Sequence, residues 1–197
     1  MKDLYILIAA IVGASAAYIT AKITSKNQLK IAQMNAEKDI TMLNINQQNE
    51  MLKREVSLER EKLEKMHIIL SEIALANSQT TSYFNSSSKN ITIEEFRTNY
   101  LNNSLKLHTA LAIADLYYPD MSQSIREING DSNVFWGHQE QLMKTNIQEN
   151  PQSFNSNLSE VSKACNEISK LVLNIQFKIS LRGEKLKEEL IKLNLHN

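Results

Sequence analysis

Residues 31–73 read IAQMNAEKDITMLNINQQNEMLKREVSLEREKLEKMHIILSEI, and mostly apolar positions recur in them at alternating spacings of four and three. The thirteen positions of this seam are Ile31, Asn35, Lys38, Met42, Ile45, Asn49, Leu52, Val56, Glu59, Leu63, Met66, Leu70 and Ile73, of which nine are apolar. Residues 28–77 contain no Pro or Gly and consist mostly of good helix formers. A heptad pattern of this length predicts one long helix whose seam packs against other helices.

The polar members of the seam concentrate in its first half. As a candidate oligomer or pore seam we take Asn35, Lys38, Met42, Ile45, Asn49 and Leu52. Polar seam residues fix the register and the oligomer number of a coiled coil at some cost in stability. They would also suit a wet passage between parallel helices, whereas the simpler interpretation, which we favour for this half, is an exposed linker helix. From Leu52 onward the seam is almost entirely apolar, and we expect that half to pack on the C-terminal helices.

The N-terminal segment is a candidate membrane span. Residues 4–21, LYILIAAIVGASAAYITA, contain no charge, and 18 helical residues nearly cross a hydrocarbon core of about 30 Å. The alternative is a cleaved signal peptide, because residues 14–16 resemble a cleavage site. We favour a retained anchor, since the apolar pattern continues through Ile19 and Ile23. Small residues such as Gly13 and Ser15 would let such spans approach closely.

The charges that flank the span predict its orientation. Lys22, Lys26 and Lys30 follow it, whereas Lys2 alone precedes it, so the positive-inside rule places the rest of the chain in the cytoplasm. The single cysteine, Cys165, fits a reducing compartment, and we expect it to be a small core residue. The sequence therefore predicts a single-pass protein of the inner (cytoplasmic) membrane, in contact with the lipid bilayer, whose C-terminal domain is cytoplasmic.

The remaining residues predict a compact helical domain. Residues 78–91 are rich in Ser and Thr and predict a loop. Thr92 to Glu95 have the form of a capping box, which begins a helix that Pro119 ends. We expect a short helix over residues 121–129 that stops at Gly130, and another over residues 134–148. The last helix is expected to begin at Asn157 or Ser159 and to kink at Arg182-Gly183.

The predicted fold class is therefore all-α. We assign residues 1–25 to the anchor, 26–77 to the stalk helix, 78–91 to the loop and 92–197 to the cytoplasmic helical bundle. No strand pattern competes with this assignment.

Composition and charge exclude several function classes. The chain carries 22 basic and 22 acidic side chains, so it has no basic footprint for nucleic acid. One Cys and four Gly rule out a disulfide framework, a Cys-rich zinc site and a glycine-rich phosphate loop. No His lies three or four residues from another His or from the Cys, so we expect no metal and no cofactor.

Two Arg/His pairs are the candidates for catalysis, since a ribonuclease needs both residues in one pocket. Arg60 and His67 are seven residues apart, which places them on one helix face and matches the Arg-x4-6-His form of the HEPN ribonucleases. Arg97 and His108 lie in the predicted bundle, but with ten residues between them. We favour a surface or core-edge role for both pairs and no enzymatic activity.

An aromatic group stands at predicted helix ends and consists of Tyr117, Tyr118, Phe135 and Trp136. Such residues either pin short helices to a bundle or form a face that binds a partner. We favour the core interpretation, because few other large side chains are available there.

The order of one N-terminal span, a long helix and a small helical domain with Arg/His pairs resembles the membrane accessory proteins of type VI-B CRISPR systems. The resemblance covers the whole chain as an architecture. It implies a HEPN-like protein that oligomerises in the membrane and is linked to pore formation and antiviral defence. It also implies that Arg60 with His67, or Arg97 with His108, are remnants of the family motif.

Three hypotheses about function follow. The first is a homo-oligomeric membrane effector, a regulated pore in bacterial antiviral defence. The second is a non-enzymatic tether whose helical domain docks a cytoplasmic protein partner. The third is a membrane-bound HEPN-like ribonuclease.

Overall fold

The structure is a computed structural model that describes residues 2–87 and 91–195, and within these residues it contains helices and turns but no strand. The five helices are α1 (Lys2–Ala76), α2 (Gln79–Ser87), α3 (Ile93–Tyr117), α4 (Pro119–Lys144) and α5 (Pro151–Leu195). The predicted all-α class is confirmed.

The chain divides into two units, Met1–Arg54 and Glu55–Asn197, which we call the stalk unit and the bundle unit. The helix α1 contributes residues to both. It is also the one helix of the described residues that is long and apolar enough, by length and composition, to cross a membrane.

A single apolar core fills the bundle unit. Its members from α1 are the seam residues Val56, Leu63, Met66, Leu70 and Ile73, together with Ile69, which lies beside the seam. The other members of the core are Leu107, Ala110, Ile113, Ala114, Tyr118, Met121, Ile125, Ile128, Phe135, Leu142, Val161, Ala164, Cys165, Ile168, Val172, Ile175, Ile179 and Leu186. The apolar half of the seam thus packs within its own chain, as expected.

Polar contacts join this part of α1 to the neighbouring helices. The Arg182 Nε donates to Glu59 Oε1 at 2.6 Å, and the Tyr118 hydroxyl donates to the Glu59 carbonyl oxygen at 3.1 Å. Between α1 and α3, Lys106 Nζ lies 2.7 Å from Glu72 Oε2. Glu59, the one polar member of the second half of the seam, is therefore held by two partners.

The start of α3 is the predicted capping box. The Glu95 amide donates to Thr92 Oγ1 at 3.1 Å, and the Thr92 amide donates to Glu95 Oε2 at 2.8 Å. These two bonds satisfy amides that a helix start otherwise leaves unpaired. The helix ends at Tyr117, directly before Tyr118 and Pro119, as the proline predicts.

The predicted loop at 78–91 is wrong over much of its length, because α2 occupies Gln79–Ser87. Ser78 Oγ accepts from the Thr81 amide at 3.2 Å and caps this helix. The fully buried Gln139 of α4 bonds to Ser82 Oγ at 2.5 Å and to Ser86 Oγ at 2.8 Å. Contacts with a helix distant in sequence thus override a composition typical of a loop. Residues 88–90 of the predicted loop lie outside the described residues.

The predicted break at Gly130 is also wrong. A single helix, α4, covers the expected short helix, the gap and most of the next one. Ile128 and Phe135 on either side of Gly130 are both buried, so core packing carries the helix through the glycine. A glycine inside a helix costs about 1 kcal/mol relative to Ala, which such burial offsets.

The last helix starts earlier than expected. Pro151 is its first residue, and Asn150 Oδ1 accepts from the Ser153 amide at 3.1 Å. The Asn150-Pro151 pair therefore begins α5, and the first position of a helix suits proline. The helix also continues through Arg182-Gly183, where a kink was expected.

Candidate functional site

The stalk unit exposes the first half of the heptad seam. Every described side chain of residues 2–52 is exposed apart from Asn49, which is half-buried. The apolar seam residues Ile31, Met42, Ile45 and Leu52 have 44% to 58% of their surface exposed. Four large apolar side chains on one helix face are a surface that packs against another helix.

A second apolar stripe, which the heptad pattern does not include, lies on the opposite side of the same helix. It consists of Leu29, Ala36, Ile40 and Leu43, all of them exposed. At 100° per residue the centre of this stripe lies about 160° from the centre of the seam. A periodicity search for two stripes instead of one would have found it. A helix that is apolar on two opposite sides buries both only when it has neighbours on both.

The structure does not bring Arg97 and His108 together. Both are on α3 and eleven residues apart, a rise of about 16 Å. The Arg97 guanidinium bonds to Glu140 Oε2 at 3.0 Å and Oε1 at 2.6 Å. His108 Nδ1 lies 2.8 Å from the Ser104 carbonyl oxygen of its own helix. Within this chain the pair therefore does not form one site.

Arg60 and His67 do line one groove, together with residues of α5. The groove has a volume of about 600 Å³, and its α5 wall includes Ser180, Glu184 and Lys187. Arg60 Nε also donates to Glu64 Oε1 at 2.8 Å on the surface of α1. His67 is exposed. The seven-residue spacing thus places both side chains on the groove, with about 10 Å of helix rise between them.

Two of the four aromatic residues proposed as a partner face lie in the core. Tyr118 is 5% exposed and Phe135 is 2% exposed, so neither is available to a partner in the folded bundle. Tyr117 is exposed, and Trp136 is half-buried. The partner-face interpretation is therefore wrong for Tyr118 and Phe135, because both are needed to fill the core.

A polar cavity between four helices was not predicted by any motif. It has a volume of about 290 Å³ and is lined by residues of α1, α2, α3 and α4 or adjoining them. Six of its lining residues are asparagines, Asn77, Asn85, Asn99, Asn102, Asn103 and Asn129, and four are aromatic, Phe96, Tyr100, Phe135 and Trp136. The rings of Tyr100 and Trp136 stack with centroids 4.6 Å apart. Asparagines this far apart in sequence give no local signal that they share a cavity.

Potential metal ligands and nucleophiles do not form a site in the described parts of the chain. No group of three or more His, Cys, Asp or Glu there could hold a metal ion. Cys165 lies in the core, where burial raises the pKa of its thiol to about 11. The thiol is thus protonated at neutral pH and is a poor nucleophile.

Comparisons with known proteins identify no relative. The chain matches no protein-family model, no curated protein and no solved structure.

Proposed function

We propose that this protein is a single-pass protein of the bacterial inner membrane that assembles into a homo-oligomer and acts as an antiviral-defence effector, a regulated membrane pore. In this proposal residues 1–25 form the anchor, the bundle unit is cytoplasmic, and stalk helices of several copies surround a passage. The partner of each stalk is a second copy of the same chain.

The observation that carries the proposal is the pair of opposite apolar stripes on the stalk unit. Burying the seam alone would satisfy a two-stranded coiled coil. The second stripe, centred on Ile40 and Leu43, would then remain in water. A closed ring supplies each helix with a neighbour on both sides, so it buries both stripes. The two stripes therefore favour more than two copies.

The charge and polarity of the seam support a passage through such an assembly. Asn35 and Lys38 are neighbours on the seam and are exposed, and the long lysine side chain can extend its ammonium out of a helix–helix contact into the adjoining water. Polar and charged side chains that face an enclosed space between helices line a wet path, because they stay hydrated there. A lysine at such a position would favour anions.

The test is the mass of the full-length protein in mild detergent, measured by light scattering after size exclusion. We expect the wild type to be larger than a dimer. Met42→Ser with Ile45→Ser disrupts the seam, and Ile40→Ser with Leu43→Ser disrupts the second stripe. Both double variants should form smaller species, while Gln48→Ser, which lies on neither stripe, should keep the wild-type mass. A monomeric or dimeric wild type would contradict the pore.

Ion flux into lipid vesicles separates a pore from a tether. We expect purified full-length protein to release a trapped anionic dye, and Lys38→Leu with Asn49→Leu to abolish release by making the lining apolar. Thermal unfolding of the variant should occur at a higher temperature, because seam positions become apolar. If the protein forms an intact oligomer but neither the wild type nor the variant releases dye, the pore hypothesis is wrong and the tether hypothesis is favoured.

One observation favours the tether as the second candidate. Leu101, Leu105 and Leu116 of α3 are all more than half exposed and lie on one side of that helix, in a bundle whose core is already complete. Such a surface suits a protein partner. Substituting Leu101 and Leu105 with Ser should release that partner and leave the oligomer intact.

The ribonuclease remains the weakest of the three proposals. Arg60 and His67 line one groove, whereas Arg97 and His108 do not form one site, so the Arg60 and His67 pair is the better placed of the two. If the protein cleaves RNA there, His67→Ala should abolish cleavage while His108→Ala should not. Cleavage that survives His67→Ala, His108→Ala and Arg97→Ala would exclude both pairs.

A further inference from the structure

The cavity between α1, α2, α3 and α4 has the size of a small-molecule site. Its volume of about 290 Å³ is near the lower end of ligand pockets, about 300 Å³. Four helices meet around it: Asn77 follows the end of α1, Asn85 lies on α2, Asn103 on α3 and Asn129 on α4. A ligand there would touch all four helices of this end of the bundle.

Two buried polar atoms at this cavity have no hydrogen-bond partner in the part of the chain that the structure describes. Ser132 is 5% exposed and lines the cavity, and its hydroxyl has no hydrogen-bond partner among the described residues. The indole Nε1 of Trp136, which also lines the cavity, is buried as well, and no described residue accepts a hydrogen bond from it. Leaving a buried donor unpaired costs about 1–3 kcal/mol, so such atoms mark a place where a partner binds.

The cavity wall is rich in neutral groups that both donate and accept. Side chains of Asn85, Asn99, Asn102, Asn103 and Asn129 make no hydrogen bond to another described residue. An amide pairs in two bonds with an edge that carries a donor beside an acceptor, as asparagine does with adenine. The stacked pair of Tyr100 and Trp136 adds an aromatic surface, and flat heteroaromatic rings stack on such surfaces.

The charges around the cavity select an uncharged ligand. Apart from Tyr100, Lys106 is the one ionisable side chain among the described lining residues, and its ammonium is 2.7 Å from the carboxylate of Glu72. Among the lining residues that the structure describes, there is no carboxylate to hold a cation and no free ammonium or guanidinium to hold a phosphate.

We propose that this cavity binds an uncharged nucleobase or nucleoside, whose hydrogen-bonding edge is read by the asparagine amides and Ser132 and whose ring lies against Tyr100 and Trp136. The site lies entirely in the bundle unit and does not depend on the proposed pore. A ligand that joins four helices would stabilise the bundle by binding the folded state alone.

The experiment uses the fluorescence of Trp136, which is the only tryptophan of the chain. Full-length protein in mild detergent is titrated with adenosine, guanosine, cytidine and uridine, with excitation at the red edge of the indole band, and calorimetry repeats each titration. We expect saturable quenching by at least one nucleoside, with a Kd of about 1 mM or tighter. Glucose, which is neutral but not flat, should cause none, and the matching 5′-monophosphate should bind more weakly.

Two serines of α4 provide a matched pair of variants. Ser122 and Ser132 both have buried hydroxyls without a partner in the described residues, but only Ser132 lines the cavity. We expect Ser132→Ala to weaken nucleoside binding about tenfold and Ser122→Ala to leave it unchanged. Because no described group bonds to either hydroxyl, both variants should unfold within a few degrees of the wild type.

Several results would overturn the proposal. One is the absence of saturable binding of all four nucleosides by both methods. Another is equal binding by Ser132→Ala and wild type, or an equal loss in Ser122→Ala. Glucose binding as tightly as the nucleosides would reassign the cavity to polyols, and tighter binding of the monophosphate would contradict the uncharged ligand.

Discussion

The guanidinium of Arg97 on α3 binds both carboxylate oxygens of Glu140 on α4, at 3.0 Å and 2.6 Å. The Glu140 side chain is 8% exposed, whereas that of Arg97 is 53% exposed. Lys144, one turn along α4, also contacts this carboxylate. The buried anion therefore has two cationic partners, and its role is to join α3 to α4.

This pair predicts a loss of stability in acid. Hydrogen bonds from Arg97, and then from Lys144, lower the pKa of Glu140 from 4.5 to about 2. A lowered pKa in the folded state gives stability that is fully present above pH 4.5 and is lost as the pH falls through about 2. We expect the wild-type unfolding temperature to fall across this window and that of Glu140→Gln to fall less, measured by circular dichroism.

Removing the buried partner should also cost stability at neutral pH. We expect Glu140→Gln to reduce the free energy of unfolding by about 1.5–3 kcal/mol, because hydrogen bonds to a buried charge are lost. The control is Arg126→Ala: the Arg126 Nη2 donates to both carboxylate oxygens of Asp115, and because this pair is about half exposed it should contribute about 1 kcal/mol or less. Equal losses in the two variants would show that Glu140 has no special role.

The second half of the seam should contribute to the stability of the bundle. Leu70 is fully buried, so Leu70→Ala should cost about 2–5 kcal/mol of unfolding free energy. Leu75 on the same helix is 68% exposed, and Leu75→Ala should change stability by about 0.5 kcal/mol or less. Urea denaturation of both variants checks this, and a small effect of Leu70→Ala would mean that α1 does not pack in the bundle.

Gly130 should be replaceable by alanine with a gain in stability. It lies inside α4, and nothing lies within 4 Å of the position that its Cβ would take. Alanine has a higher helix propensity than glycine by about 0.8–1 kcal/mol. We expect Gly130→Ala to raise the unfolding temperature by about 2–4 °C. A decrease would indicate that α4 is broken at this residue, as the sequence alone suggested.

Cys165 should react with thiol reagents only after unfolding. Its thiol is buried and its pKa is raised to about 11 by burial, so almost no thiolate exists at neutral pH. We expect no labelling by a chromogenic disulfide reagent in native buffer and one thiol per chain in denaturant. Rapid labelling of the folded protein would contradict the buried position.

The sequence by itself determined the features that depend on neighbours within a few residues. The spacing of Leu63, Met66 and Leu70 shows a helix with one apolar side, because 3.6 residues make a turn wherever the chain goes next. The capping box at Thr92 and the end of α3 before Pro119 are local in the same way, since each depends on nearby backbone groups.

Only the tertiary structure decided which apolar residues the bundle uses. Ile45 and Leu70 occupy the same seam, yet Leu70 is in the core and Ile45 is exposed, because burial depends on helices far away in the chain. For the same reason α2 forms in a stretch that resembles a loop, where Gln139 bonds to Ser82. The cavity near Ser132 also has no local signal, since its asparagines come from four separate segments that meet only when the bundle folds.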